Sequence, residues 1–343
     1  MIKIFNAAVL DKINRPLKIV RNIKLPKLKK DQILVKMKYT AVCGSQLFEI
    51  NGKRGKDIYI PHLLGHEGTG QIVKAGDVSS KFKKKDKVFL SWISKDNFQT
   101  SKILFDYPNK NKSLNAGPVT TFSTYTIVSK NKVYHLPKKI SLKKGVLLGC
   151  AIPTGAGMVF NQSNNLEKKT TLVIGAGGVG LSSILALKIK KTKKIIVYEP
   201  NKKKILLLRK YMSDVIFYDD IKKIVKTNIL FDYVYDCSGI TKSIELGFKL
   251  LKDTGKCIFA THPEFKKKIS FDPYEFIKGK KLEGSWGGKV KFSRDLNNLT
   301  KLILKFKFIE KLYFRRIYSL NEINKAIKDF KNGKNIRTLI RLN

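Results

Sequence analysis

The first 150 or so residues carry short alternations of hydrophobic and polar side chains, which are typical of β-strands. Glycine, proline and aspartate residues separate these stretches, as expected of turns. The clearest alternations lie at Gln32–Met37, Thr69–Val73, Lys87–Leu90 and Thr124–Val128. Because an apolar strand face must pack against another surface, this region is predicted to form a β-rich domain.

Between residue 153 and about residue 287, the pattern changes to apolar runs separated by helical stretches. The runs begin at Thr171, Lys194, Phe231 and Gly255. Buried strands that alternate with helices are typical of βαβ units around a parallel sheet.

The remaining segment, from about residue 288, predicts two helices, Asp295–Lys305 and Asn321–Asn332. Ser319 and Glu322 form a capping-box pattern at the start of the second helix. Gly333 follows it as a C-terminal stop.

The composition is that of a globular protein: 343 residues, 43% of them hydrophobic, enough for two modest domains or one large one. No apolar run approaches the roughly 18 residues that a membrane span needs. The N-terminus has no continuous apolar region typical of a signal peptide. The four cysteines, Cys43, Cys150, Cys237 and Cys257, indicate buried thiols or metal ligands. We therefore expect a cytoplasmic protein with no membrane partner.

The charge is unusual, with 70 Lys+Arg against 26 Asp+Glu and a formal net charge of +44. One interpretation is binding to nucleic acid or another polyanion. The lysines, however, fall in short runs along the whole chain, for example at 83–85, 202–204 and 266–268. No RNP, KH or C2H2 motif accompanies them. Biased lysine usage is the favoured interpretation, and no specific nucleic-acid partner is predicted.

One segment has the glycine pattern of a dinucleotide-binding turn. A predicted strand that ends in Leu-Val-Ile leads into G-x-G-x-x-G, with Gly175, Gly177, Gly178 and Gly180, and a helical stretch follows at once. Gly175 permits the tight turn, Gly177 permits approach to a pyrophosphate, and Gly180 lets the helix pack closely on the strand. The helix N-terminus adds free N–H groups for the phosphates.

Glu199 follows Gly180 by 19 positions, at the end of the next predicted strand. A carboxylate there accepts hydrogen bonds from the adenosine ribose and repels a 2′-phosphate, so NAD is predicted over NADP. The lysines at 202–204 weaken that preference, and Lys204 is counted with the cofactor-binding residues.

Three residues are candidate metal ligands: Cys43, His66 and Cys150. Two thiolates and one imidazole leave a fourth tetrahedral position open, which is the pattern of a catalytic zinc site. Each residue also has an ordinary interpretation. A single cysteine is usually a small buried hydrophobic residue, and a histidine beside Glu67 is often one half of a polar pair. Spacing alone does not decide between these interpretations.

Taken in order, these motifs resemble the zinc-containing medium-chain alcohol dehydrogenases, including the glutathione-dependent formaldehyde dehydrogenase branch. The resemblance runs nearly from end to end. It rests on Cys43-Gly44-Ser45, Gly65-His66-Glu67-Gly68, Gly76-Asp77, Leu147-Leu148-Gly149-Cys150, Pro153-Thr154-Gly155, the glycine turn, the segment 284–288 and the segment 335–339.

The resemblance implies an α/β fold: a GroES-like β-rich catalytic domain at 1–152 and a Rossmann domain with a doubly wound parallel sheet at 153–287. A C-terminal segment, 288–343, would return to the first domain. The family also forms dimers or tetramers, so a homodimer or homotetramer is expected.

The resemblance also implies a role for each matching residue. Cys43, His66 and Cys150 would hold one catalytic zinc ion, and Glu67 would be a carboxylate able to approach the metal. Ser45 matches the hydroxyl that takes the proton of the alcohol. Two residues, Thr154 and Val179, would hold the nicotinamide ring, and Arg337 would meet the cofactor pyrophosphate.

Three departures from the family pattern change the expectations. No cysteine lies between about Ser94 and Gly117, where the family carries four closely spaced ones, so no structural zinc is expected. Gln46 replaces an acidic residue that commonly supports the zinc-bound histidine, and its neutral amide would stabilise the imidazole less. Phe48 stands where some members carry a relay histidine, so proton release would need another route.

The sequence therefore predicts a zinc-dependent, NAD-linked oxidoreductase acting on an alcohol or polyol, or on the corresponding aldehyde or ketone. A sugar, cyclitol or nucleotide-linked sugar remains an alternative substrate, and a formaldehyde–glutathione adduct ranks below these. A zinc-free reductase of the superfamily would lack the three candidate ligands. The alternatives of another class are an NAD-sensing protein and a polyanion-binding protein built on a dehydrogenase scaffold.

Overall fold

The computed structural model describes residues 4–76, 81–96 and 100–342. Asp77, part of one motif of the resemblance, lies outside the described residues. The strands are β1 Ile4–Leu10, β2 Lys18–Lys24, β3 Gln32–Val42, β4 His62–Leu63, β5 Glu67–Ala75, β6 Lys87–Ser91, β7 Ile103–Asp106, β8 Ser113–Ala116, β9 Tyr125–Ser129, β10 Val133–His135, β11 Thr170–Ile174, β12 Lys194–Tyr198, β13 Ile216–Tyr218, β14 Phe231–Asp236, β15 Leu251–Phe259, β16 Lys281–Gly284, β17 Ile317–Ser319 and β18 Thr338–Arg341. The α-helices are α1 Gly44–Ile50, α2 Leu142–Gly145, α3 Ala151–Gln162, α4 Gly178–Ile189, α5 Lys202–Arg209, α6 Ile221–Val225, α7 Thr241–Lys249, α8 Pro273–Ile277, α9 Phe292–Lys305, α10 Ile309–Tyr313 and α11 Ile323–Lys331.

The chain divides into two compact units. Unit 1 comprises Met1–Cys150 and Tyr313–Asn343, and unit 2 comprises Ala151–Leu312. Residues 288–312, which were predicted to belong to the C-terminal segment, lie in unit 2.

Unit 1 is built on two sheets. One has the strand order β2-β1-β4-β8-β7, and the other has the order β10-β6-β5-β3-β18-β17 with β9 also pairing with β3. Along β3, the alternate residues Ile33, Val35 and Met37 are fully buried in one core, as the period-two pattern of a strand requires. The C-terminal strand β18 joins this sheet antiparallel to β3, with Leu339 opposite Ala41.

Unit 2 is built on one parallel sheet with the order β13-β12-β11-β14-β15-β16. The strand order reverses at β11, whose last residue, Ile174, pairs with Tyr198 on one side and Asp236 on the other. In open parallel sheets, ligands bind at the carboxyl ends of the strands beside such a reversal. The glycine turn starts at this position.

The predicted β-rich first region and the parallel sheet of the second region are confirmed. Helix α9 covers the first predicted C-terminal helix. The second is observed as a 3₁₀ turn, Leu320–Glu322, followed by α11, which ends one residue before the predicted end. Ser319 and Glu322 form the expected capping box. Cys257 lies in β15, and Cys237 directly follows the end of β14. Among the described residues, no helix is both long and apolar enough to cross a membrane.

Candidate metal centre and dinucleotide turn

The candidate metal ligands lie at the ends of elements in unit 1. Cys43 is the residue between β3 and α1, His66 directly precedes β5, and Cys150 follows the 3₁₀ turn Val146–Gly149. Gly149 lets that turn approach β5, because a Cβ atom at Gly149 would lie 2.6 Å from the Cβ atom of Glu67. Gly65 has φ +89°, a backbone conformation that disfavours other residues and sets the chain direction into His66.

The donor atoms of Cys43, His66, Glu67 and Cys150 all lie within 4.8 Å of one another. The two sulfur atoms are 3.9 Å apart. Two thiolates on one tetrahedral zinc ion, each at about 2.3 Å, would be about 3.8 Å apart. The Nε2 atom of His66 is buried and has no hydrogen-bond partner among the described residues. Two sulfur donors and one imidazole nitrogen in this arrangement fit a zinc ion.

Gln46 contacts both the first ligand and the second. Its Oε1 accepts a hydrogen bond from the backbone N–H of Cys43 at 2.8 Å, and its Nε2 lies 2.5 Å from Nδ1 of His66. A metal bound at Nε2 of His66 requires the ring proton on Nδ1. Gln46 would then face two N–H donors with one acceptor oxygen and one donor group. A carboxylate could accept from both donors, so the amide is the weaker support.

Arg337 lies inside the cluster and is 2% exposed. Its guanidinium is 3.5 Å from Oε1 of Glu67, which is fully buried, and 3.9 Å from the sulfur of Cys150. With Cys43 and Cys150 as thiolates and Glu67 ionised, a divalent cation together with Arg337 would balance the charge. The family resemblance implies that Arg337 meets the cofactor pyrophosphate, and that role stays a prediction.

The close contacts shift the pKa values of the side chains in the cluster. A hydrogen bond from Cys150 and the charge of Arg337 lower the pKa of Cys43 well below its ordinary value. The same hydrogen bond, together with burial, raises the pKa of Cys150. Although burial opposes its charge, the neighbouring Cys43 raises the pKa of His66. Burial also opposes the charge of Arg337, but Cys43 and Glu67 raise its pKa, so it stays charged.

Two residues predicted to contact the substrate or the cofactor have side-chain hydroxyl groups without a hydrogen-bond partner among the described residues. The Oγ of Ser45, in the first turn of α1, and the Oγ1 of Thr154, in α3, are both buried. A buried hydroxyl without a partner is costly unless a ligand completes it. The ligand-contacting roles of Ser45, in unit 1, and Thr154, in unit 2, stay predictions, and the open hydrogen-bonding capacity of both hydroxyls is compatible with them.

The glycine turn of unit 2 depends on missing side chains. A Cβ atom at Gly180 would lie 1.8 Å from the carbonyl oxygen of Gly175, so only glycine fits there. Gly175 has φ +86°, which also favours glycine. Gly177, in contrast, has open space around its missing side chain, and α4 begins at the next residue, Gly178. This open space beside a helix N-terminus is suited to a phosphate group.

Helix α3 packs directly against the start of α4. A Cβ atom at Gly155 would lie 2.0 Å from the carbonyl oxygen of Val179, and the hydroxyl of Ser183 donates to the carbonyl of Gly155 at 3.0 Å. Thr154 and Val179, the residues predicted to hold the nicotinamide ring, therefore belong to two adjoining helix segments of unit 2.

Glu199 follows β12 and is buried. Its Oε2 accepts hydrogen bonds from the backbone N–H of Ala176 at 2.9 Å and from Nζ of Lys204 at 2.7 Å. Its Oε1 accepts from the N–H of Asn201 at 3.1 Å. Glu199 thus ties the end of β12 to the glycine turn, while Lys204 reduces its negative charge.

Two family models match the chain, and together they cover more than half of it. One, described as the alcohol dehydrogenase GroES-like domain, matches residues 29–138, and the other, described as zinc-binding dehydrogenase, matches residues 178–305. The chain belongs to the zinc-containing, alcohol dehydrogenase-like members of the medium-chain dehydrogenase family. The predicted GroES-like and Rossmann folds are confirmed, and the protein is an oxidoreductase of this type.

Comparison with individual proteins agrees with this family. An S-(hydroxymethyl)glutathione dehydrogenase from Escherichia coli O1:K1 is 27% identical over 366 aligned positions, which cover 98% of this chain and 99% of the relative. The crystal structure of benzyl alcohol dehydrogenase from Acinetobacter calcoaceticus has a TM-score of 0.86 at 23% identity and covers 99% of both chains. A zinc-binding dehydrogenase from Sinorhizobium meliloti bound to NADP has a TM-score of 0.78 at 17% identity, covering 99% of this chain and 100% of that one.

Sequence reasoning missed two contacts of the metal cluster. Nothing in the sequence near Arg337 indicates a contact with Glu67, because 270 positions separate them. The hydrogen bond from the backbone N–H of Cys43 to Oε1 of Gln46 could have been anticipated, since Gln46 lies three positions after Cys43, the spacing of a capping box.

Proposed function

We propose that this protein is a zinc-dependent, NAD-linked dehydrogenase that transfers hydride between an alcohol or polyol and the nicotinamide ring. The observation that carries the proposal is the cluster of Cys43, His66 and Cys150, with its 3.9 Å separation of sulfur atoms and an unpartnered imidazole nitrogen. We propose one zinc ion per chain, because the segment 94–117 contains no cysteine.

Each residue of the candidate site has a separate proposed role. When bound, zinc supplies a Lewis acid that lowers the pKa of an alcohol hydroxyl, and NAD supplies the hydride acceptor. Ser45 would accept the hydroxyl proton at its unpartnered Oγ. Thr154 would orient the nicotinamide through its unpartnered Oγ1. Glu67 and Arg337 would hold the charge of the cluster balanced.

The proposed NAD preference rests on Glu199. Its carboxylate lies at the end of β12, where it would meet an adenosine ribose and repel a 2′-phosphate. Lys204 reduces that repulsion through its 2.7 Å contact, and one structural neighbour binds NADP, so both cofactors belong in the test. Glu199→Gln should lower the KM for NADP relative to that for NAD, and an unchanged ratio would remove Glu199 as the determinant.

A second substrate class is favoured by the relatives. They are named S-(hydroxymethyl)glutathione dehydrogenases and align over 98% of this chain. S-(hydroxymethyl)glutathione therefore stands beside alcohols, polyols, sugars, cyclitols and nucleotide-linked sugars as a candidate.

The test is the appearance of reduced nicotinamide, followed by absorbance, with NAD and with NADP against this panel. Zinc-loaded protein and chelator-treated protein are compared. Chelator-sensitive reduction on one substrate would support the class and name the substrate. Silence across the panel in protein that retains one zinc ion per chain would point to a substrate outside it. Silence without bound zinc would favour NAD sensing or polyanion binding.

A further inference from the structure

Unit 1 contains a cavity of about 620 Å³, within the range of small-molecule binding sites. Its wall includes Gln46 and His66, so the cavity reaches the side chains that support and form the metal centre. All of its lining residues belong to unit 1. A molecule bound there would lie beside the candidate metal ligand.

The cavity wall carries two acidic residues, and both are already paired. Glu49 forms an ion pair with Arg54 at 2.5 Å. Asp57 contacts Nε2 of His62 at 2.8 Å and accepts a hydrogen bond from the backbone N–H of Tyr59 at 2.9 Å. Both carboxylates therefore have partners within the chain, and Arg54 is the permanent cation among these partners.

The same wall contains two lysines, Lys56 and Lys102. Both are exposed, and neither ammonium group has an ion-pair partner within the described parts of the chain. The cavity thus has a surplus of positive charge after its internal ion pairs are formed. A concave, partly enclosed surface strengthens the attraction of such charges for an anion.

We propose that Lys56 and Lys102 recognise an anionic group, a carboxylate or a phosphate, on the alcohol substrate. This inference rests on the proposed function, since it assigns the substrate class of that same site. The anionic group is held by the two lysines, and the hydroxyl-bearing carbon is left for the metal centre at His66. Charge recognition here sets specificity and the KM, while the chemical step belongs to the metal centre.

The whole chain carries a net charge of +44, so any anion is attracted to it weakly. A test therefore needs a control with the same change in charge. Lys138 and Lys139 are exposed, belong to unit 1 and are absent from the cavity wall. The double variant Lys56→Glu/Lys102→Glu is compared with Lys138→Glu/Lys139→Glu at physiological salt, where distant surface charges are screened.

The first readout is binding, measured by calorimetry of zinc-loaded protein with glycerate, glycerol 3-phosphate and neutral glycerol. The unaltered protein should bind both anions. The cavity variant should bind them with an affinity lower by about tenfold or more, and the affinity of the control variant should change little. The carboxylate and phosphate arms distinguish the two anion classes. No anion binding by the unaltered protein, or equal losses in both variants, would overturn the inference.

The second readout is turnover of anionic and neutral alcohols from the panel that the enzyme oxidises. The cavity variant should raise the KM for anionic alcohols with kcat nearly unchanged, and leave neutral alcohols unaffected. Equal oxidation of both kinds by both variants would keep the proposed function and reject the anion site. Lysine-dependent anion binding by a protein that retains no zinc and oxidises no alcohol of the panel would reject the proposed function and keep the anion site.

Discussion

The two candidate sites of this protein are built in opposite ways. The metal cluster in unit 1 consists of side chains, and residues 43, 66, 150 and 337 come from distant parts of the sequence. The dinucleotide turn in unit 2 consists mainly of backbone within residues 175–180. The first site depends on which side chains are present, and the second depends on which are missing.

One buried carboxylate from each unit, Glu67 in unit 1 and Asp236 in unit 2, gives a second contrast. Glu67 lies 3.5 Å from the guanidinium of Arg337, so a cation accompanies its charge. Asp236, at the end of β14, accepts hydrogen bonds at 3.0 Å from the N–H and the hydroxyl of Ser238. Burial raises the pKa of Asp236 to about 6, and those hydrogen bonds only partly offset it. Glu67 is therefore accompanied by a positive charge, whereas the hydrogen-bond partners of Asp236 are dipoles.

The largest expected effect is the loss of a metal ligand. His66→Ala should remove the bound zinc and lower turnover by roughly a thousandfold or more, because a bound metal lowers the activation free energy of the reaction by several kcal/mol. Metal analysis and an assay of reduced nicotinamide measure both. Cys257→Ala, which changes a buried thiol of unit 2, is the control and should keep the zinc. Zinc retained by His66→Ala would contradict the ligand assignment.

Asp236→Asn tests the contrast between the two carboxylates. The raised pKa means that the folded protein holds a proton that the unfolded chain releases near pH 4. The contribution of Asp236 to stability is therefore present below about pH 4 and is lost as the pH rises to about 6.

Asparagine cannot ionise, so the free energy of unfolding of the wild type should fall by about 2 kcal/mol relative to Asp236→Asn across that interval. Chemical denaturation at each pH measures this difference. The same pH dependence in both proteins would show that the charge of Asp236 is stabilised by more than the contacts described above.

Gly180→Ala and Gly177→Ala separate folding from cofactor binding in the turn. The new methyl group at Gly180 would meet the carbonyl oxygen of Gly175, so stability should fall by about 1–3 kcal/mol. The methyl group at Gly177 meets nothing within 4 Å. That variant should keep its stability and bind NADH more weakly, because the methyl group fills the space left for a phosphate.

Denaturation and fluorescence titration with NADH measure the two effects. Equal loss of stability in both variants would mean that the turn tolerates no side chain at all. Unchanged NADH affinity in Gly177→Ala would place the phosphates elsewhere.

The smallest effect is expected from Gln46→Glu. This change replaces the amide beside Cys43 and His66 with a carboxylate and keeps the side chain nearly the same size. A carboxylate at this position can accept hydrogen bonds from both the N–H of Cys43 and Nδ1–H of His66. We expect about a tenfold gain in zinc affinity, measured by competition with a chelator. Gln71→Glu, elsewhere in unit 1, is the control with the same charge change. A weaker affinity in Gln46→Glu would reverse the assigned direction of these hydrogen bonds.

The same contrast explains how much of the molecule the sequence predicts. The strand, the glycine turn and the following helix are local, so their order in the sequence was sufficient to place Gly175, Gly177 and Gly180 correctly. Cys43, His66 and Cys150 came together only through the resemblance to a family, because spacing alone left ordinary interpretations open. The contact of Arg337 with Glu67 depends on strand pairing between β3 and β18, which no local pattern reports. The ion pairs of the cavity wall depend on loop geometry in the same way.

Cys43, Ser45 and Gln46 share one short element. Helix α1 has only seven residues, and Cys43 is its N-cap residue. A helix this short is not stable in water by itself, so its order depends on what its ends contact. Binding of a metal at Cys43 and His66 should therefore slow the hydrogen exchange of the α1 amides as one group, so their protection reports metal occupancy in the absence of any substrate.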